Sequence, residues 1–154
     1  MTNDKELRIL VAALRASSNP TVIALLAAND LGGLTNWLND NSTTKAWIMD
    51  ASKRTLFEAM KITTYDAVPA GKKEAWRLML DLVPIDFTQS KMRKAITEIF
   101  DVADANAMLA DFTEWASRAE DIVGGDSATT GTVTAIKRKL IGEIGSRELK
   151  DALK

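Results

Sequence analysis

The stretch from Ala67 to Phe100 constrains the fold of this chain most strongly, because it holds the densest apolar material. One apolar stripe lies before Pro84 and a second lies after it: Trp76, Met79, Leu80 and Val83, then Met92, Ala95, Ile96, Ile99 and Phe100. Such spacing places side chains on one face of a helix. The stretch therefore predicts two amphipathic helices joined by a short turn. Leu78 and Leu82 lie off the first stripe, so the first helix should be covered on more than one side.

Similar stripes recur between boundaries marked by proline, glycine and serine. Asn19 and Pro20 are typical of a helix start, because asparagine caps an orphan N–H and proline has none to pair. Residues 39–44 predict a surface loop, and residues 45–49 form a brief apolar run with no evident partner strand. A single helix is predicted from Ala105 to about Val123. The fold class predicted is all-α, a compact bundle of about six to seven helices.

The glycine-rich tract 124–131 predicts a flexible linker. It separates a helical core at 1–123 from a C-terminal docking segment at 132–154. In that segment apolar residues alternate with basic ones, and the apolar set is Val133, Ile136, Leu140, Ile141 and Ile144. Two interpretations are open, since these side chains either dock on a neighbouring subunit or close the protein's own core.

Composition excludes several classes of function. The formal net charge of the 154 residues is −1, which argues against a protein that mainly neutralises nucleic-acid phosphates. The chain has no cysteine and no histidine, so thiolate chemistry and the commonest general base are absent. No apolar run approaches the roughly 20 residues of a membrane-spanning helix, and the N-terminus lacks a signal-peptide layout. We expect synthesis in a cytoplasm and no membrane partner.

No set of residues amounts to a reaction centre. Residues 70–73 invite a phosphate-loop interpretation, but that loop needs glycine where Asp66 stands and serine or threonine where Lys73 stands. The acidic residues between Asp101 and Asp121 do not follow calcium-loop spacing, and a serine nucleophile would lack its GxSxG context. We therefore predict no catalytic, cofactor-binding or metal-binding residues, no cofactor, and a protein that is not an enzyme.

Tryptophans and basic residues supply the remaining candidates for an interface. Trp37 and Trp47 flank the polar loop, and tryptophan is enriched at the energetic centres of interfaces. Trp76 and Trp115 fit the core faces of helices. Lys137, Arg138 and Lys139, with Lys91, Arg93 and Lys94, could face a polyanion or an acidic partner, or lie on a solvated surface. Our predicted interface residues are Trp37, Trp47, Val133, Ile136, Lys137, Arg138, Leu140, Ile141 and Ile144.

From about Leu25 onward the order of features resembles a group of small tailed-bacteriophage proteins encoded among virion morphogenesis genes. The segments that carry the resemblance are AWIMDASKRTLFEAM, ITTYDAVPAGKKEAWRLML, IDFTQSKMRKAITEIF, SRAEDIVGGDSATTGTVT and IGSRELKDAL. The group has a more aromatic, strand-like piece after the glycine-rich tract, where this chain has residues 135–138. The resemblance implies a structural component of the virion.

Our leading hypothesis is a multi-copy neck, head–tail or tail connector that acts by protein–protein contacts. Its partners would be portal, neck or tail subunits and further copies of itself, in the virion and in the host cytoplasm during assembly. Direct nucleic-acid binding is not expected. The alternative is a phage-encoded regulator or inhibitor, outside the virion, that binds a host protein or DNA. Deleting residues 132–154 tests the docking role, because a folded core that no longer enters particles supports it and an unfolded product refutes it.

Overall fold

The computed structural model describes residues 4–124, 126–138 and 143–154. Ten helices lie within these ranges: α1 (Asp4–Arg15), α2 (Pro20–Ala27), α3 (Leu31–Asn39), α4 (Lys53–Ala59), α5 (Ile62–Ala67), α6 (Ala70–Asp81), α7 (Ser90–Ile99), α8 (Val102–Asp111), α9 (Arg118–Gly124) and α10 (Ser146–Leu153). Four strands accompany them: β1 (Asn41–Trp47), β2 (Thr113–Ser117), β3 (Ser127–Thr130) and β4 (Val133–Ile136). The two helices predicted between Ala67 and Phe100 are confirmed as α6 and α7.

The prediction of an all-α bundle is wrong, because the four strands form one mixed sheet in the order β2-β1-β4-β3. Strand β4 runs parallel to β1, where Ala46 is opposite Ile136, and antiparallel to β3. Strand β1 covers most of the predicted loop and part of the apolar run after it, and β3 lies in the predicted linker. Strand β4 lies in the predicted docking segment, and β2 interrupts the helix predicted over 105–123. Strand formation depends on pairing with partners far along the chain, which local periodicity does not register.

The β3–β4 hairpin lies partly inside the tract predicted as a flexible linker. Its four cross-strand pairs run from Ser127 opposite Ile136 to Thr130 opposite Val133. Gly131 begins the two-residue turn with a φ of 59°, in the left-handed region that glycine adopts without strain. The β-branched residues on either side of the turn suit paired strands.

The described chain divides into two compact units, each drawn from separate stretches. The prediction was instead a core at 1–123, a linker at 124–131 and a docking segment at 132–154, in that order. The first unit contains the described residues of Met1–Thr44, Trp115–Asp126 and Arg138–Lys154, and the second contains Lys45–Glu114 and Ser127–Lys137. In the first unit, α1 and α3 pack against α9 and α10. Its core is built from Leu10, Leu14, Val22, Leu34, Leu38, Ala119, Val123, Ile144 and Leu149.

The second unit is built around the pair α6 and α7, in agreement with the density of apolar residues there. Helix α7 packs against α6, α8 and β3. Aromatic contacts hold the centre of the core: the Trp76 and Phe100 rings meet edge to face at 5.1 Å, and the Phe87 and Phe112 rings stack at 4.2 Å. Both geometries are favourable for aromatic quadrupoles.

Taken singly, none of the helices in the described ranges is long and apolar enough to cross a membrane. Only together do helices α1 and α2 have the length and apolar composition of a membrane span, and a bend of 99° separates them.

Candidate interaction surface

The two tryptophans predicted at an interface both contact the protein's own interior. Trp47 is fully buried in the second unit, where its Nε1–H donates to the Ala128 carbonyl at 3.1 Å. Trp37 is half-buried against the core of the first unit, and the Arg118 guanidinium lies 4.8 Å from its ring centroid. Trp115, which was predicted to pack in a core, is 49% exposed on β2. That prediction is wrong because residue 115 lies on a strand.

The apolar residues predicted to dock on a neighbour are covered within this chain wherever they are described. Val133 is half-buried against the core of the second unit, and Ile136 is 5% exposed. Ile144 is 2% exposed in the core of the first unit. Leu140 and Ile141 lie outside the described residues. These placements are the ones expected if the segment closes the protein's own core.

The predicted basic residues are spread over different environments. Lys137, Lys91 and Lys94 are exposed, and Lys139 lies outside the described residues. Arg138 is half-buried and forms an ion pair of 2.7 Å with Glu120 inside the first unit. Arg93, which was grouped with the surface lysines, is 2% exposed. Among the described members of the two basic groups, the arginines are covered within the chain and the three lysines are exposed to solvent.

Arg93 joins α7 to the turn before it and to β3. Its Nη1 donates to the Phe87 and Thr88 carbonyls at 2.7 and 2.8 Å, and its Nε donates to Thr130 Oγ1 at 2.9 Å. The guanidinium also lies 5.0 Å from the Trp47 ring centroid. Burial lowers the pKa of Arg93 from its ordinary value, and nearby Asp86 acts in the opposite direction. These contacts pair the cation, so we assign Arg93 a structural role.

An apolar groove lies between α6 and α7, and we call it the α6–α7 groove. Its volume is about 560 Å³, and its lining is Gly71, Lys72, Ala75, Leu78, Met79, Leu82, Lys91, Met92, Ala95, Glu98 and Ile99. Buried Met79 and Ile99 belong to the core beneath it. Leu78 and Leu82 are 59% and 62% exposed, although leucine usually lies inside a fold.

The exposed leucines belong to a second stripe of α6, distinct from the stripe that enters the core. Gly71, Ala75, Leu78 and Leu82 follow one another at intervals of four, three and four residues, which keeps them on one face of the helix. The apolar stripe is bordered by the charged side chains of Lys72, Lys91 and Glu98. An apolar centre with a charged border has the anatomy of a protein–protein contact.

The titratable groups of the described residues form no cluster of three or more that could hold a metal ion. Residues 70–73, considered above as a phosphate loop, lie at the start of α6, where Gly71 and Lys72 are exposed at one end of the groove. Comparison with protein-family models, with curated proteins and with solved structures found no match.

Proposed function

We propose that this protein is a structural component of a tailed-phage virion, present in several copies at the neck or tail and acting through protein–protein contacts. The setting comes from the sequence resemblance. The structural support is the α6–α7 groove, where Leu78 and Leu82 are exposed along α6, which packs against α7. Clustered exposed apolar residues on a folded protein are typical of an interaction site.

The contacts of this protein are assigned to the groove and not to the C-terminal segment. Ile136 and Ile144 already stabilise the two units of the chain itself, and their burial leaves little apolar surface to offer. Leu78 and Leu82 have most of their side-chain surface still to bury, and burial of apolar surface is the main favourable term in protein association. Copies of this protein contact one another through the α6–α7 groove, and virion proteins of other kinds bind at other surfaces.

Mass spectrometry of particles purified from a culture of the encoding phage tests the proposal. We expect the polypeptide in the particle fraction, in several copies per particle, and retained after a high-salt wash. A polypeptide found only in the cytosolic fraction, bound to a host protein or to DNA, would instead support a regulator. Turnover of a small molecule by the purified chain would contradict both.

A further inference from the structure

The exposed stripe of α6 has small side chains in its first half and large side chains in its second half. Gly71 and Ala75 come first, and Leu78 and Leu82 follow. The intervals of four, three and four residues read the same in both directions along the helix. When two such helices pack antiparallel, Gly71 therefore lies opposite Leu82 of the other copy. No atom lies within 4 Å of the position that a Cβ on Gly71 would occupy, so a leucine side chain has room there.

The inner pair of the stripe follows the same rule, because Ala75 meets Leu78 of the second copy. A parallel arrangement would instead place leucine against leucine and glycine against glycine, which leaves a gap at one end and crowding at the other. Close packing requires large side chains opposite small ones. The stripe thus favours the antiparallel arrangement on shape alone.

Charges on the groove border favour the same arrangement. Lys91 and Glu98 lie seven residues apart on α7, with small, half-buried Ala95 between them. Antiparallel packing of two α7 helices brings Lys91 of each copy opposite Glu98 of the other. Parallel packing would set lysine against lysine, and like charges opposite one another are unfavourable.

The two pairings are compatible with a single symmetry axis. Lys72 near the start of α6 and Ile99 at the end of α7 line the same small cavity, so these two helix ends lie side by side. The α6 pairing is centred between Trp76 and Arg77, and the α7 pairing is centred next to Ala95. Each centre lies the same number of residues from the helix end at this cavity, which is Lys72 in α6 and Ile99 in α7. One two-fold axis across the groove therefore serves both helices.

We propose that the α6–α7 groove binds the same groove of a second copy about a two-fold axis, with α6 antiparallel to α6 and α7 antiparallel to α7. Such an isologous contact closes on itself and gives a dimer, not a ring or a fibre. The inference deepens the proposed function by naming the partner of the groove, and it rests on that proposal only for its biological setting. The dimer itself is a property of the purified chain.

Sedimentation equilibrium of the purified full-length chain, from micromolar to millimolar protein, measures this contact. We expect a reversible dimer. Leu82→Ser should weaken it about a hundredfold, because each dimer loses two partly buried leucines. Ile62→Ser, at an exposed apolar position outside the groove, should leave the dimer constant unchanged. A chain that stays monomeric at millimolar concentration, or one whose dimer responds to Ile62→Ser and not to Leu82→Ser, overturns the inference.

A charge exchange tests the two-fold arrangement itself. Lys91→Glu should weaken the dimer roughly tenfold, since two pairs of like charges then face each other. Adding Glu98→Lys to the same chain should restore the dimer constant to within about threefold, because every opposed pair regains opposite charges. Lys94→Glu, at an exposed position on α7 outside the groove, is the matched control. A double variant that stays as weak as Lys91→Glu refutes the antiparallel pairing. Absence of the polypeptide from virions would refute the proposed function while leaving the dimer measurement intact.

Discussion

Replacing Arg93 by methionine should lower the free energy of unfolding by about 2–4 kcal/mol. The substitution removes three hydrogen bonds donated by a cation and leaves the Phe87 carbonyl, which accepts a buried bond, without a donor. A buried acceptor left unpaired costs about 1–3 kcal/mol, and loss of the contact with the Trp47 ring adds about 1 kcal/mol. Methionine keeps the packing of the stem and avoids burying a charge, which offsets part of the loss.

Denaturant unfolding followed by far-ultraviolet circular dichroism measures this loss. Lys94→Met is the matched control, since it removes the neighbouring positive charge at an exposed position of the same helix. It should change stability by less than about 0.5 kcal/mol. Arg93→Lys should fall between the two variants, because lysine keeps the charge but lacks the planar donors that reach both carbonyls. The reasoning fails if Arg93→Met is as stable as Lys94→Met.

Three further predictions concern the backbone and the C-terminal segment. Deleting residues 132–154 should give an unfolded product by circular dichroism, because β4 and α10 are removed with core residues of both units; a cooperatively folding remainder would contradict this. Asn39→Ala should cost about 1–2 kcal/mol in thermal unfolding, because the Asn39 side chain pairs with both the N–H and the C=O of Ile144 at 2.9 Å; an unchanged melting temperature would refute that role. Gly131→Ala should destabilise by about 1–2 kcal/mol because its φ is positive, whereas Gly71→Ala, measured on the monomer at low protein concentration where its surroundings on α6 are open, should stabilise by about 0.5–1 kcal/mol, so equal effects would count against the assigned conformations.

The helical pair α6 and α7 was predictable because its local spacing and its tertiary role agree. The residues of the first stripe that lie in α6, such as Trp76, are buried in the core of the second unit, as their spacing predicts. The sheet was not predictable in the same way. The first half of β1 is polar, β2 is short and sits between two helices, and Ala46 pairs with a residue far along the chain. Only the hairpin carried a local signal, Gly131 between β-branched residues.

The candidate surface was partly visible in the sequence. Leu78 and Leu82 lie off the core stripe, and from them we predicted that α6 is covered on more than one side. Within the chain that prediction is wrong, because Leu78 and Leu82 are 59% and 62% exposed. Periodicity reports which face is apolar but not what covers it, so it could not distinguish cover by the same chain from cover by a second copy. The tryptophans could not be sorted for a related reason. Trp47 and Trp115 both lie on strands, and the pairing partners of those strands are not visible in the local sequence. The sequence therefore did not show that Trp47 is buried and Trp115 is 49% exposed.

Site-directed cross-linking tests the central claim, that copies of this protein meet through the α6–α7 groove, most directly. The chain has no cysteine, so each introduced thiol is the only one. Chains carrying Gly71→Cys are mixed with chains carrying Leu82→Cys and oxidised gently. We predict a disulfide-linked dimer that contains one chain of each kind, because only opposed positions come within the roughly 7 Å between Cα atoms that a disulfide tolerates. Failure of the mixture to cross-link, or equally efficient cross-linking of Leu82→Cys alone, would contradict the claim.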